Sequence, residues 1–131
     1  MLECLIMGDS IAVGIAMHRP ECRVEAVVGI NSRKWNVTYG GKKHEAKTAI
    51  ISLGTNDHAN IDTLKELTQL RSEIVAEKVF WVMPARYNKA FDIVRGLAKE
   101  NGDTFLISTN LVPDGIHPTT KGYRRLADQS R

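Results

Sequence analysis

Apolar runs and helix-period stripes alternate along the chain from one end to the other. Leu2–Met7 predicts a short buried strand. Gly8-Asp9-Ser10 then turns the chain into Ile11–Met17, a brief helix ended by the Arg19-Pro20 step. Arg23–Val28 alternates as a second strand, and Thr48–Leu53, Val79–Met83 and Thr104–Ile107 are further β-rich apolar runs. Continuous hydrophobicity of this kind suits strands covered on both faces. Between them, Ile61, Leu64, Leu67, Leu70, Ile74 and Val75 recur every three or four positions, with Asn60 or Asp62 as the N-cap. Ala90, Phe91, Val94, Leu97 and Ala98 form a second stripe, begun by Asn88 and closed at Gly102. Thr119 or Thr120 caps a last short helix that buries Tyr123, Leu126 and Ala127. One stretch breaks the alternation: Trp35–Tyr39, Gly40-Gly41 and Lys42–Ala46 predict a β-hairpin. The pattern as a whole predicts an α/β protein, a three-layer α/β/α sandwich on a five-stranded parallel sheet. A small β-hairpin would replace one crossover helix.

The length of 131 residues, without repeats, linkers or low-complexity segments, predicts a single domain over 1–131. The composition, 43% hydrophobic and 25% charged, is that of a soluble globular chain. No uncharged stretch approaches the roughly 18 apolar residues of a membrane span, so no membrane partner is expected. Met1–Met7 contains Glu3 and runs straight into a turn, unlike a signal peptide. A net charge of +3 falls well below the Lys/Arg density of a dedicated nucleic-acid binder, so nucleic acid is not the expected partner. Cys4 and Cys22 form no CxxC motif and are expected as two buried free thiols, which points to a reducing, cytoplasmic setting.

His18, His44, His58 and His117 show no metal-ligand spacing, and Gly40-Gly41-Lys42-Lys43 lacks the spacing of a phosphate loop. No metal and no cofactor are expected. His18 and His44 are expected to be solvated. Arg33, Lys34, Lys42, Lys43 and Lys47 make the second crossover basic, either as a solvated face or as an attraction for an acidic polymer such as a glycan. Trp35 and Tyr39 could stack on sugars, whereas Trp81 lies mid-strand and belongs to the core.

In open parallel sheets, sites form in the crevice beyond the carboxyl ends of the strands. Polar residues of this chain gather there: Gly8-Asp9-Ser10, Gly29-Ile30-Asn31-Ser32, Gly54-Thr55-Asn56-Asp57, Pro84-Ala85-Arg86-Tyr87 and Asp114-Gly115-Ile116-His117-Pro118. Ser10 stands where a strand becomes a helix, with its own N–H among the unpaired donors of the helix end. A serine hydroxyl is a weak nucleophile until a base takes its proton. His117 is the natural candidate base, and Asp114, three residues before it, can fix the imidazole tautomer. Asp9 and Asp57 are expected as acceptors for backbone N–H groups that hold their loops.

Gly8-Asp9-Ser10, Gly29, Gly54-Thr55-Asn56-Asp57 and Asp114-Gly115-Ile116-His117-Pro118 together resemble four sequence blocks of the SGNH (GDSL-type) hydrolase superfamily, in the same order. Lys121-Gly122-Tyr123 after the histidine is also similar to members of that family, and the resemblance runs from residue 8 to about residue 127. It implies a flavodoxin-like sheet and a Ser10, His117 and Asp114 catalytic triad. It further implies an oxyanion hole formed by the N–H groups of Ser10 and Gly29 and the side-chain amide of Asn56. Such donors, fixed beforehand, are each worth roughly 2.7–4 kcal/mol of barrier.

Many members of that family are longer and carry a helix after the second-block glycine, where this chain has the basic segment around 33–47. Short crossovers leave little material for a lid. An open, shallow cleft favours small acyl groups such as acetyl, carried by a small-molecule or glycan ester. His58, Arg86 and Tyr87 are the candidate substrate contacts. Two other functions fit the same residues: a catalytically silent glycan- or nucleic-acid-binding module, and a thioesterase.

Overall fold

Five strands and five helices alternate along residues 1–131, all of which the computed structural model describes: β1 (Leu2–Gly8), α1 (Ser10–Ala16), β2 (Arg23–Ala26), α2 (Ser32–Tyr39), β3 (His44–Ser52), α3 (Thr63–Ser72), β4 (Ile74–Val82), α4 (Ala90–Asn101), β5 (Thr104–Leu106) and α5 (Thr120–Gln129). The sheet is parallel throughout, in the order β2-β1-β3-β4-β5. That is the doubly wound order of flavodoxin-like sheets. Successive side chains of a strand point to opposite faces. Cys4 and Ile6 of β1 therefore join α1 and α5 on one side, with Ile11, Ile15, Leu126 and Ala127. Leu5 and Met7 join the layer of α2, α3 and α4 on the other, with Trp35, Leu67 and Val94. Burying a side chain such as these stabilises the fold by about 1.5–3 kcal/mol each.

The segment expected as a β-hairpin is instead a helix followed by a strand, which corrects both the hairpin and the missing crossover helix. Asn31 adopts an extended conformation and its side chain accepts the Lys34 N–H at 2.8 Å, capping α2. Asp57, 25 positions away, accepts the N–H of Ser32 at 2.8 Å. Trp35 turns into the core, fully buried, and its indole N–H donates to the Glu25 carbonyl at 2.8 Å. It cannot stack on a sugar. Gly40-Gly41 ends this helix, and β3 begins at His44, which pairs with Ile74 of β4. His44 is consequently buried between Glu25 and Glu73 and is not the solvated residue expected. A local Gly-Gly signal serves a hairpin turn or a helix stop equally well; the distant Asp57 and Glu25 settle which.

Two boundaries shift for the same kind of reason. Ile74 and Val75 continue the apolar stripe of α3 in sequence, yet they pair with His44 and Glu45 and open β4. The second strand stops at Ala26, leaving Val27 and Val28 exposed in the following loop. The predicted caps fall as follows: Asp62 caps α3, Thr119 caps α5, and Asn88 accepts the Ala90 N–H at 2.8 Å just before α4.

Cys4 and Cys22 form a disulfide, which corrects the expectation of two free thiols. Pairing of Leu5 with Arg23 sets Cys4 opposite Cys22, with their Cα atoms 4.8 Å apart. That spacing lies within the range a disulfide spans. The expected cytoplasmic setting loses the support that reduced thiols would have given it. No helix is long and apolar enough to cross a membrane. The bridge closes a loop between residues 18 apart in sequence, so its removal in a Cys4→Ala/Cys22→Ala variant should lower the unfolding free energy by about 3 kcal/mol. Urea denaturation of the variant, and of the wild type with and without reductant, checks this; an unchanged midpoint in all cases would contradict it.

Candidate active site

A parallel sheet delivers every strand-to-helix turn to one rim. Across that rim the order β2-β1-β3 sets Gly29, Ser10 and Asn56 side by side, on the loops that follow those strands. The turn after β1 is fixed most tightly. Gly8 has φ +142°, and a Cβ there would collide with the Ser52 carbonyl, so β1 approaches the end of β3 more closely than any other residue would allow. Asp9 follows, donating its N–H to the Ser52 carbonyl at 3.0 Å. Its carboxylate accepts the Ile11 N–H at 3.0 Å and the Ser52 hydroxyl at 3.1 Å. Asp9 thus caps α1 and fastens it to β3, and Ser10 becomes the first helical residue.

Ser10 Oγ lies 2.9 Å from His117 Nε2, bridging 107 positions of sequence. His117 Nδ1 lies 2.6 Å from Asp114 Oδ2. The other carboxylate oxygen of Asp114 accepts the N–H groups of Ile116 at 2.8 Å and His117 at 2.9 Å. The hydrogen bond from the His117 ring, followed by those from the two backbone N–H groups, lowers the Asp114 pKa to about 2. This carboxylate therefore stays ionised at neutral pH. The loop bearing both residues folds back on itself: Val112 N–H donates to the His117 carbonyl at 2.8 Å, and Thr119 N–H to the Asn110 carbonyl at 2.7 Å.

Gly29 has φ +77° and its N–H makes no hydrogen bond within the protein. The Asn56 amide donates one N–H to the Ile30 carbonyl at 3.1 Å, which ties it to the Gly29 loop. A side-chain amide carries two such donors. Asp57 is buried and accepts from Ser32 and from the Thr63 hydroxyl, clamping the starts of α2 and α3 together. Both Asp9 and Asp57 thus hold loops, as their positions suggested.

Two depressions lie along this rim. On the β4 and β5 side is a cavity of about 240 Å³, lined by Ile11, Thr55 and Ile116, the chain neighbours of Ser10, Asn56 and His117. Arg86 and Tyr87 border it, and the Arg86 guanidinium sits 5.7 Å over the Phe91 ring. On the β2 side is a more open cleft of about 540 Å³, where Gly29 and Ile30 meet Val37 of α2 and His58. His58 therefore lines a different depression from Arg86 and Tyr87. Its Nδ1 accepts the Asn60 N–H at 3.2 Å.

Sequence reasoning missed Ser52 and Tyr123. Ser52 ends an apolar run with no motif around it. Tyr123 is expected as a helix residue facing the core and as part of the family-like Lys121-Gly122-Tyr123, with no role at the site. It packs over Gly14, half-buried beneath the site. Burial raises its pKa, and the charges of Asp9 and Asp114 add to the effect. Arg19, in the supposed break after α1, is buried and donates to the carbonyls of Ala127 at 3.0 Å and Ser130 at 3.2 Å, tying down the end of α5.

Burial raises the Asp9 pKa to about 6, against the lowering effect of its hydrogen bonds from Ile11 and Ser52; its second carboxylate oxygen has no partner. The folded state therefore holds a proton that the unfolded state has already released. The contribution of Asp9 to stability should be full below pH ~4, fall by up to about 3 kcal/mol as pH rises to ~6, and then level off. Asp9→Asn should remove this slope. Urea unfolding of both proteins between those pH values checks it, and parallel curves would refute it.

Three solved structures share this architecture. One is a GDSL-like lipase from Bacteroides thetaiotaomicron, with a TM-score of 0.64, 17% identity, and coverage of 97% of this chain and 84% of the other. A protein described as an acylhydrolase from Bacteroides fragilis has a TM-score of 0.67, 18% identity, and coverage of 97% and 83%. The C-terminal catalytic domain of a Streptococcus pneumoniae peptidoglycan O-acetyltransferase has a TM-score of 0.57, 16% identity, and coverage of 96% and 88%. No protein-family model and no curated protein sequence matches the chain. The fold implied by the sequence blocks is thus the fold the chain has, shared over nearly its whole length with a GDSL-like lipase and an O-acetyltransferase domain.

Proposed function

We propose that this chain is a serine ester hydrolase of the SGNH type, working through an acyl-enzyme on short-chain esters, acetyl esters above all. The observation that carries this is the continuous hydrogen-bonded path from Ser10 Oγ through the His117 ring to Asp114. In this reading Ser10 attacks the ester carbonyl while His117 Nε2 accepts its proton, and Asp114 steadies the imidazolium. The N–H groups of Ser10 and Gly29 and the second amide N–H of Asn56 take the oxyanion. The bond from Asn56 to Ile30 serves this role by fixing the plane of the amide before substrate arrives. His117 then protonates the leaving alcohol, and water attacks the acyl-enzyme by the reverse route.

The cavity of about 240 Å³ offers the acyl group a place, because it adjoins the loops of Ser10, Asn56 and His117 through Ile11, Thr55 and Ile116. The likeness to a peptidoglycan O-acetyltransferase domain supports a glycan acetyl ester among the substrates. Arg86 and Tyr87 would then touch the acyl side of the substrate, and His58 the opposite side.

Ser10→Ala and His117→Ala should each lower kcat by at least about 10⁴-fold on an aryl acetate without changing the unfolding midpoint. Asn56→Ala should cost about 10²–10³-fold. Asp114→Asn should do less damage than loss of Ser10 or His117, up to about 10⁴-fold, since it alters the ring tautomer and leaves the loop intact. Wild-type turnover in the Ser10 or His117 variant would overturn the mechanism. A fluorophosphonate should label the wild type and fail to label Ser10→Ala. Hydrolysis should slow from acetyl to octanoyl esters; rates that climb along that series would exclude the short-chain preference.

A further inference from the structure

The cleft on the β2 side is the larger of the two depressions along the rim, and a short acyl group leaves it unused. Gly29, one of the proposed oxyanion donors, lines it. Its walls are apolar: Val27, Val28 and Val37 present 42%, 70% and 82% of their surfaces to solvent. The three valines are brought together on one cleft by the loop after β2 and by α2. Two cations stand over this apolar floor. Arg33 and Lys34, on the first turn of α2, line the cleft, and neither takes part in an ion pair, whereas Lys42 and Lys47 nearby are paired with Glu25 and Glu3. Glu25, the carboxylate nearest in sequence, is buried against Lys42 and His44, and Asp57 is buried and turned inward onto Ser32 and Thr63.

We infer that this cleft holds the alcohol portion of the substrate, and that the preferred alcohol combines an apolar body with a carboxylate recognised by Arg33 and Lys34. The inference rests on the ester-hydrolase reading and extends it to the leaving group. Sheet order supports the direction of binding. Ser10 follows β1, between the loop after β2 that forms this cleft and the loops after β4 and β5 that form the acyl cavity. An ester with its acyl group in the second has its alcohol directed toward the first. An Arg fork matches a carboxylate in two parallel hydrogen bonds, and the adjacent ammonium adds a point charge. His58 closes the far wall of the cleft and stays outside the ion-pairing pair.

The test compares two acetyl esters with the same aryl leaving group, the acetates of 4-hydroxyphenylacetic acid and of 4-hydroxyphenylacetamide. At low salt, kcat/KM should favour the carboxylate by about fivefold, the scale of one well-placed solvent-exposed ion pair, and the preference should shrink toward unity at 0.5 M salt. Arg33→Gln/Lys34→Gln should abolish the preference and leave the amide ester unchanged, since both side chains are exposed and hold no structural contact. Ser10-dependent turnover of both esters without a preference, or a preference that survives the double substitution, overturns this subsite and leaves the hydrolase reading standing. Absence of Ser10-dependent turnover of either ester overturns both.

Discussion

The turn from β1 into α1 is held to the end of β3 by Asp9, and the rest of the site depends on that fastening. Its N–H and carboxylate both engage Ser52, and the same carboxylate caps the helix that begins with Ser10. Nothing wider than glycine fits at position 8, so the two strand ends lie in contact and the serine is presented at their joint. The carboxylate sits in a low-dielectric pocket with one oxygen unsatisfied, a costly arrangement. Its position is fixed by the surrounding packing, and its charge lies beside Tyr123 under the same site. Stability is thus traded locally for a rigid placement of one hydroxyl, a pattern common where chemistry is done.

The histidine side of the site is built differently. His117 and Asp114 belong to no helix or strand and lie in a loop after a three-residue edge strand. That loop is ordered by its own backbone, through the bonds of Val112 to His117 and Thr119 to Asn110, and by the Asp114 carboxylate accepting two N–H groups in addition to the imidazole. One charged group therefore organises the loop and orients the ring at once. Arg19 and Gly14 secure α5, which follows directly, from opposite ends of the same helix layer. A rigid serine and a loop-borne histidine meet because α1 and α5 pack against each other on one face of the sheet.

The opposite face carries the neighbouring donors. Asp57 joins the starts of α2 and α3, and Asn56 ties the loop after β3 to the loop after β2. Trp35, buried beneath α2 with its N–H on Glu25, fixes how far that helix stands from β2. The width of the cleft beside Gly29 follows from this packing. Val37 of α2, with Val27 and Val28 of the loop after β2, becomes the wall of a groove.

Residue type and position along the chain singled out Ser10, His117 and Asp114, whose side chains form one hydrogen-bonded path, whereas Gly29 and Asn56 were singled out by the resemblance of the sequence blocks. In a parallel sheet every strand end lies on one rim, so the loops that carry Ser10, Gly29 and Asn56 share it, and the long loop after β5 brings His117 back to Ser10. Local caps were legible for the same reason: Asp62 and Thr119 act within three residues of themselves. What the chain could not disclose depends on partners far away in sequence. Gly40-Gly41 is a helix stop because Asp57 and Glu25 hold α2 in place, and His44 is buried because it pairs with Ile74. Cys4 and Cys22 are joined because the register of β1 on β2 sets them opposite each other. Periodicity records which face of an element is apolar; which element lies against that face, and in what register, is fixed only when the whole core packs.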